Sequence, residues 1–160
     1  MHRKARVFAG IGAALLAVVA LSQASAATGP RARALVRFTD AAEDAARFLR
    51  YSQAYRLTPG QQALKNRVLS KIPAPCCKEY SIATCCCPCN LAKTVWGLSN
   101  WLIVEKDANA PELDAAVRGW LRHVNARGFS GDLCYTGGCG RAFADNGCGG
   151  MHESALRVWK

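Results

Sequence analysis

Four stretches of the sequence repeat apolar residues at intervals of three and four positions, the pattern of a helix with one buried face. The fourth stretch is the most regular of them. No stretch alternates apolar and polar residues convincingly, so almost no sheet is expected. We therefore predict an all-α fold, a small bundle of three to four helices. The predicted helices run over about 41–55, from 59 to a stop at Pro73, from near 88 to about 105, and from 109 to a glycine cap at 128.

Helix start signals support three of these predictions. Asp40 and Glu43 stand three residues apart just before the first apolar face, as in a capping box. Pro59 follows Thr58 at the start of the second helix, and Pro111 lies near the start of the fourth. Proline is tolerated there because the first N–H groups of a helix have no partner within it. The first, second and fourth helices therefore have defined beginnings in the sequence.

The N-terminal 26 residues have the features of a secretory signal peptide. A positively charged start precedes fifteen uncharged, mostly apolar residues from Val7 to Leu21, and Ala24-Ser25-Ala26 gives a small-x-small cleavage site. The apolar run is shorter than the ~20 residues that a membrane span needs. We expect a periplasmic or secreted protein, cleaved near Ala26, whose mature chain has no transmembrane segment.

The rest of the chain divides into three segments. They are a basic lead-in at 27–40, a helical domain at 41–127 with a cysteine-rich loop at 76–89, and an irregular tail at 128–160 rich in glycine and cysteine. The formal net charge is +10, and loss of the signal peptide lowers it to +7. An exported protein seldom meets nucleic acid, so no nucleic-acid partner is expected. The positive charge fits an anionic membrane surface, an acidic partner, or simple solubility.

Six of the nine cysteines fall within fourteen residues. Neighbouring cysteines make poor structural staples, because a disulfide needs converging side chains whose Cα atoms are roughly 4.4–6.8 Å apart. A thiolate can instead bind a soft metal ion or exchange disulfides, so this cluster is the clearest sign of chemistry in the chain. The six residues are Cys76, Cys77, Cys85, Cys86, Cys87 and Cys89.

The primary hypothesis is that thiolates of these six cysteines bind a soft metal ion, Cu(I) or Zn(II). The cluster holds more sulfur than one tetrahedral ion requires, but the second CxxC pair of an ordinary zinc ribbon is absent. Because a helix is predicted to begin near Pro88, Cys89 is expected at its N-terminus, where the helix dipole favours a thiolate. An exported, cysteine-rich metal-binding protein is therefore the first prediction.

The second hypothesis is thiol–disulfide exchange with an unidentified protein partner, and it comes from a resemblance. Its motifs, in chain order, are Leu57-Thr58-Pro59, Val68-Leu69-Ser70-Lys71, Cys76-Cys77, Ser81-Ile82-Ala83 and Leu91-Ala92. The segment that contains them resembles the periplasmic thiol oxidoreductase domain of the haem-ligation complex in cytochrome c maturation. The resemblance implies a helical redox domain in which Cys77 matches the second cysteine of the family's redox pair.

If this resemblance holds, the redox residues of the chain are Cys76 and Cys77. The family's CxxC is replaced here by Pro75-Cys76-Cys77, and four further cysteines follow. A looser likeness is to exported proteins of unknown function that are named for a PCYCGC motif. They also place cysteines before an alanine-rich helix. Both likenesses concern architecture and compartment rather than activity.

The third hypothesis is a disulfide-stapled interaction module. Cys134, Cys139 and Cys148 lie among glycines that permit the bends a bridge requires, and each disulfide contributes roughly 2–4 kcal/mol. Three is an odd number, so one of them can cross to the first cluster. No Ser-His-Asp order, phosphate loop, nucleotide fingerprint or haem-attachment motif is present in the sequence. Whether the protein is an enzyme is left open at this stage.

Overall fold

The computed structural model of the protein describes residues 35–85 and 87–159. The predicted signal peptide, most of the basic lead-in and Cys86 lie outside these ranges. The described chain is mostly helical, as the sequence predicts, and its four α-helices lie close to the predicted positions. They are α1 Ala41–Ala54, α2 Pro59–Leu69, α3 Asn90–Glu105 and α4 Ala110–Val124.

A small antiparallel sheet, β1 Pro73–Ala74 and β2 Cys77–Ser81, was not predicted. It occupies the first half of the cysteine-rich loop, and Cys76 lies in the turn between the two strands. The N–H of Ile82 donates to the carbonyl of Ile72 at 2.9 Å. Trp96 of α3 then donates from its indole N–H to the carbonyl of Ile82 at 2.8 Å. These bonds fix the loop against α3.

The helix starts follow from side chains that accept the free N–H groups of the first turn. Thr58 with Gln61 and Asn109 with Glu112 form complete capping boxes at α2 and α4. Asp40 accepts from the first turn of α1 as well. The start of α3 is different, because its N-cap residue is Cys89.

The core lies between α1, α3 and α4. Helix α1 packs along α3, and Gly97 permits this approach because a Cβ there would overlap the carbonyl of Phe48. Trp120 of α4 is completely buried, with its ring centroid 5.0 Å from that of Phe48. Its indole N–H donates to Thr94 Oγ1 at 3.0 Å. The helices are therefore joined by apolar packing and by one buried polar link.

The chain after α4 has no regular helix within the described residues, but it is anchored. It contains three short 3₁₀ turns and buries Leu133 and Phe143 completely or nearly so. The N–H of Leu91 donates to the carbonyl of Cys148 at 3.1 Å, and the N–H of Asn90 donates to the carbonyl of Gly150 at 2.9 Å. The tail thus returns to the N-terminus of α3.

None of the helices within 35–85 and 87–159 combines the length and apolar character that crossing a bilayer requires.

Candidate thiol site

Five cysteines from distant parts of the chain are brought together beside the start of α3. The Sγ atoms of Cys76 and Cys85 are 3.0 Å apart. Cys76 also interacts with Cys134, while Cys89 interacts with both Cys85 and Cys148. None of the eight cysteines in the described residues is in a disulfide bond. We call the series Cys134, Cys76, Cys85, Cys89 and Cys148 the sulfur row.

Backbone structure positions each member of the sulfur row. The turn of the hairpin carries Cys76, whose carbonyl accepts a hydrogen bond from the N–H of Cys134 at 3.3 Å. Cys85 follows the end of β2, and Cys89 is the N-cap of α3. The tail brings in Cys148 through the Leu91 hydrogen bond described above. The row therefore joins the hairpin, the helix start and the tail.

Burial differs along the row. Cys76 is 2% exposed, and Cys89 and Cys148 are 1% exposed. Cys85 and Cys134 are half-buried. Among Cys76, Cys85, Cys89 and Cys148, only Cys85 therefore offers its side chain to a reagent from solvent.

The two thiols of the Cys76–Cys85 pair have pKa values that are shifted in opposite directions. Hydrogen bonding with Cys85 lowers the pKa of Cys76 from 9.0 to about 7, against the opposing effects of burial and of Cys89. The same interaction, with Cys85 as the donor, raises the pKa of Cys85. The negative charge of the pair therefore lies on Cys76.

A second unequal pair lies at the helix start. Hydrogen bonding with Cys148, and then with Cys85, lowers the pKa of Cys89 to about 3, with a smaller contribution from the backbone of Ala92. Hydrogen bonding to Cys89 raises the pKa of Cys148. The Sγ of Cys148 also lies 3.0 Å from the carbonyl oxygen of Cys139, an alternative acceptor for its single proton. Cys89 is thus a buried thiolate at a helix N-terminus, an environment that favours ionisation.

Three further cysteines from the sequence predictions, Cys77, Cys87 and Cys139, are not members of the sulfur row. The Sγ of Cys77 is buried and lies 4.0 Å from the hydroxyl oxygen of Tyr135. Cys87 and Cys139 are half-buried. The structure therefore puts Cys85, rather than the adjacent Cys77, within contact distance of Cys76. Among the three tail cysteines, both Cys134 and Cys148 reach the first cluster.

The described residues do not form a closed metal site. Within 35–85 and 87–159, no group of three or more Cys, His, Asp or Glu side chains is arranged to hold a metal ion. Two thiolates on one tetrahedral zinc with Zn–S bonds of ~2.3 Å are about 3.8 Å apart, whereas Cys76 and Cys85 are at 3.0 Å. The 3.0 Å separation lies between the S–S distance of two ligands of one zinc ion and the ~2.05 Å length of a disulfide bond.

Sequence reasoning missed the pairing of Cys76 with Cys85 and of Cys89 with Cys148. Both depend on the hairpin and on the return of the tail, which no local pattern specifies. One signal was available, because Cys148 stands before a Gly149-Gly150 pair, and both glycines adopt positive φ angles. This backbone conformation allows the tail to turn at the helix start.

Comparison of the chain with protein-family models, with curated proteins and with solved structures finds no match. The function is therefore argued from the residues of the sulfur row.

Proposed function

We propose that the protein is an exported thiol–disulfide exchange protein whose exchange pair is Cys76 and Cys85. The observation that carries the proposal is the 3.0 Å separation of their sulfur atoms. A disulfide bond is ~2.05 Å long, so the pair closes with a relative movement of about 1 Å.

In the oxidised pair, only the sulfur of Cys85 can be reached from solvent. Cys85 is half-buried, whereas Cys76 is 2% exposed, so a partner thiolate attacks Cys85 and Cys76 leaves. A thiol with a low pKa is the better leaving group, and the pKa of Cys76 is lowered to about 7. A stabilised leaving thiolate also makes a disulfide more oxidising. The arrangement favours donation of the disulfide to the partner.

Two displacements complete the transfer. In the first, the partner's thiolate bonds to Cys85 Sγ, the Cys76–Cys85 bond breaks, and its electron pair remains on Cys76. In the second, another partner thiolate attacks the partner's sulfur in the mixed disulfide and releases Cys85, which takes up a proton because its pKa is raised. The partner's dithiol is oxidised and the exchange pair is reduced. A disulfide-bearing oxidant then regenerates the pair.

Exposed aromatic side chains near the row support a protein as the partner. Tyr135 follows Cys134 directly and is 72% exposed, and its hydroxyl lies 4.0 Å from Cys77 Sγ. Tyr80 on β2 is 45% exposed. Tyrosine is enriched at the energetically important centres of protein interfaces. These two rings offer a partner apolar contact on the hairpin and next to Cys134.

The experiment that tests the proposal is disulfide transfer to a reduced model peptide with two cysteines. Oxidised wild-type protein is expected to convert about one peptide per chain, followed by mass spectrometry. C76S and C85S should both lose the transfer, and the matched control C77S should retain it. Wild-type protein that transfers no disulfide, or a C77S loss as complete as that of C85S, would contradict the proposal.

A soft metal ion remains the second proposal, since two lowered thiol pKa values are found in one row. Thiolates are the ligands that Cu(I) and Zn(II) select. Metal analysis of the same reduced protein, after incubation with Cu(I) or Zn(II), separates the two functions. Stoichiometric metal that blocks peptide oxidation would favour binding over exchange.

A further inference from the structure

The tail is fastened to the start of α3 by hydrogen bonds that involve backbone and one buried side chain. Asn90 is completely buried, and its amide nitrogen donates to the carbonyls of Gly149 and His152 at 2.8 and 2.7 Å. The N–H of Leu91 donates to the carbonyl of Cys148 at 3.1 Å. Cys148 is therefore fixed beside the helix start before any covalent bond forms.

The sulfur of Cys89 faces the tail at this point. Cys89 is the N-cap of α3, and its largest interaction is with the thiol of Cys148. Both residues are 1% exposed. Because the docking hydrogen bonds already hold the two segments together, a bond between the sulfurs costs little further chain entropy. An oxidant from solvent, however, has no direct access to either sulfur.

Cys85 provides the access that the buried pair lacks. It is half-buried, and it interacts with Cys76 on one side and Cys89 on the other. A disulfide that forms on Cys85 can therefore be passed inward to Cys89.

We infer that Cys89 and Cys148 form a second, buried disulfide, a latch that joins the tail to α3 and is made by transfer through Cys85. The inference rests on the proposed exchange chemistry of Cys85, but it needs neither Cys76 nor a partner protein. It assigns a covalent role to the tail, whose predicted disulfides had no assigned partners.

Once an external disulfide has formed a mixed disulfide with Cys85, the remaining exchange steps take place within the chain. The Cys89 thiolate attacks Cys85 Sγ, and the group bonded to Cys85 leaves as a thiolate. Cys148 then gives up its proton and attacks Cys89 Sγ, and the Cys85–Cys89 bond breaks. Cys85 leaves with the electron pair and takes up a proton. The external disulfide is reduced to two thiols, and the Cys89–Cys148 bond is formed.

The latch is reversible rather than a permanent staple. The low pKa of Cys89 stabilises its reduced form, which makes a disulfide at this residue easier to reduce. Docking of the tail makes the disulfide harder to reduce, because it holds Cys148 next to Cys89.

Bridge mapping after treatment with oxidised glutathione tests the inference on the full chain. Wild-type protein, quenched with acid and alkylated, should yield a peptide that links Cys89 to Cys148. C85S should form this bridge about tenfold more slowly or worse, because access to the thiol governs exchange. C76S should form it at the wild-type rate or faster, because it lacks the Cys76 thiol that competes for Cys85.

The thermal midpoint gives a second readout with a matched control. Oxidation should raise the midpoint of wild-type and C139S protein by about 5 °C or more above the change in C148S, which keeps the exchange pair but cannot form the latch. Absence of the bridge in oxidised wild-type protein, or equal rates in C85S and wild type, would overturn the inference. Loss of peptide oxidation with an intact bridge would instead refute the proposed exchange function alone.

Discussion

The backbone N–H of Leu91, in the first turn of α3, donates a hydrogen bond to the carbonyl of Cys148 in the tail at 3.1 Å. This bond satisfies an N–H group that has no partner within the helix. It also places a tail cysteine beside Cys89, the N-cap of the same helix. The helix start thus supplies both the anchor for the tail and the thiolate that the tail's sulfur contacts.

Replacement of Asn90 with alanine should release the tail. Its side chain is completely buried and donates to two tail carbonyls, so N90A removes two hydrogen bonds between the tail and α3, while each carbonyl keeps its backbone N–H donor. We expect a loss of about 2 kcal/mol in the free energy of unfolding and faster proteolysis within 128–159. Denaturant titration and limited proteolysis check this. Q62A, which removes an exposed side-chain bond to Asn66, is the control and should change neither quantity appreciably.

The pKa of Cys76 should depend on the presence of the Cys85 thiol. In reduced wild-type protein, the thiolate absorbance that is lost in C76S should titrate with a pKa of about 7. C85A removes the hydrogen-bond donor, so this pKa should rise toward 9.0, and C77A should leave it unchanged. A C85A protein in which Cys76 still titrates near 7 would contradict the assigned cause.

The same lowered pKa predicts the pH dependence of stability in the reduced protein. A thiol whose folded pKa lies below its unfolded value contributes stability that is complete above the unfolded pKa and is lost as pH falls through the folded pKa. For Cys76 the contribution should therefore grow from about pH 7 to about pH 9. Comparison of wild type with C76S at several pH values measures it. If the free energy of unfolding of wild type relative to C76S decreased from about pH 7 to about pH 9, the prediction would be contradicted.

Gly97 should be intolerant of any side chain. A Cβ there overlaps the Phe48 carbonyl, so G97A must push α1 away from α3 and should lower the free energy of unfolding by about 1–3 kcal/mol. G60A is the matched control because nothing lies within 4 Å of its new Cβ at the start of α2. Equal stability of the two variants in urea would show that the helices do not pack as described.

The helices could be predicted from the sequence, whereas the sulfur row could not. Apolar periodicity and the caps at Asp40, Thr58 and Asn109 are local, and they defined α1, α2 and α4 closely. The hairpin was missed because Pro73 and Pro75 argue against strands, and its short strands bury little in alternation. The partners of the cysteines depend on this hairpin and on the docking of the tail, which are properties of the folded chain.

The predicted redox pair is a second case in which the sequence did not indicate which cysteines lie close together in the fold. The family resemblance suggested Cys76 with Cys77, but the structure places Cys85 against Cys76 and Cys77 near Tyr135. For the predicted metal site, no group of three or more Cys, His, Asp or Glu side chains within residues 35–85 and 87–159 is arranged to hold an ion.

The most direct test is the disulfide map of C89S protein after mild oxidation, since this variant cannot form the latch and leaves the exchange pair as the main product. Our account predicts one dominant bridge, between Cys76 and Cys85. A bridge between Cys76 and Cys77, or free thiols at both Cys76 and Cys85 after oxidation, would contradict it.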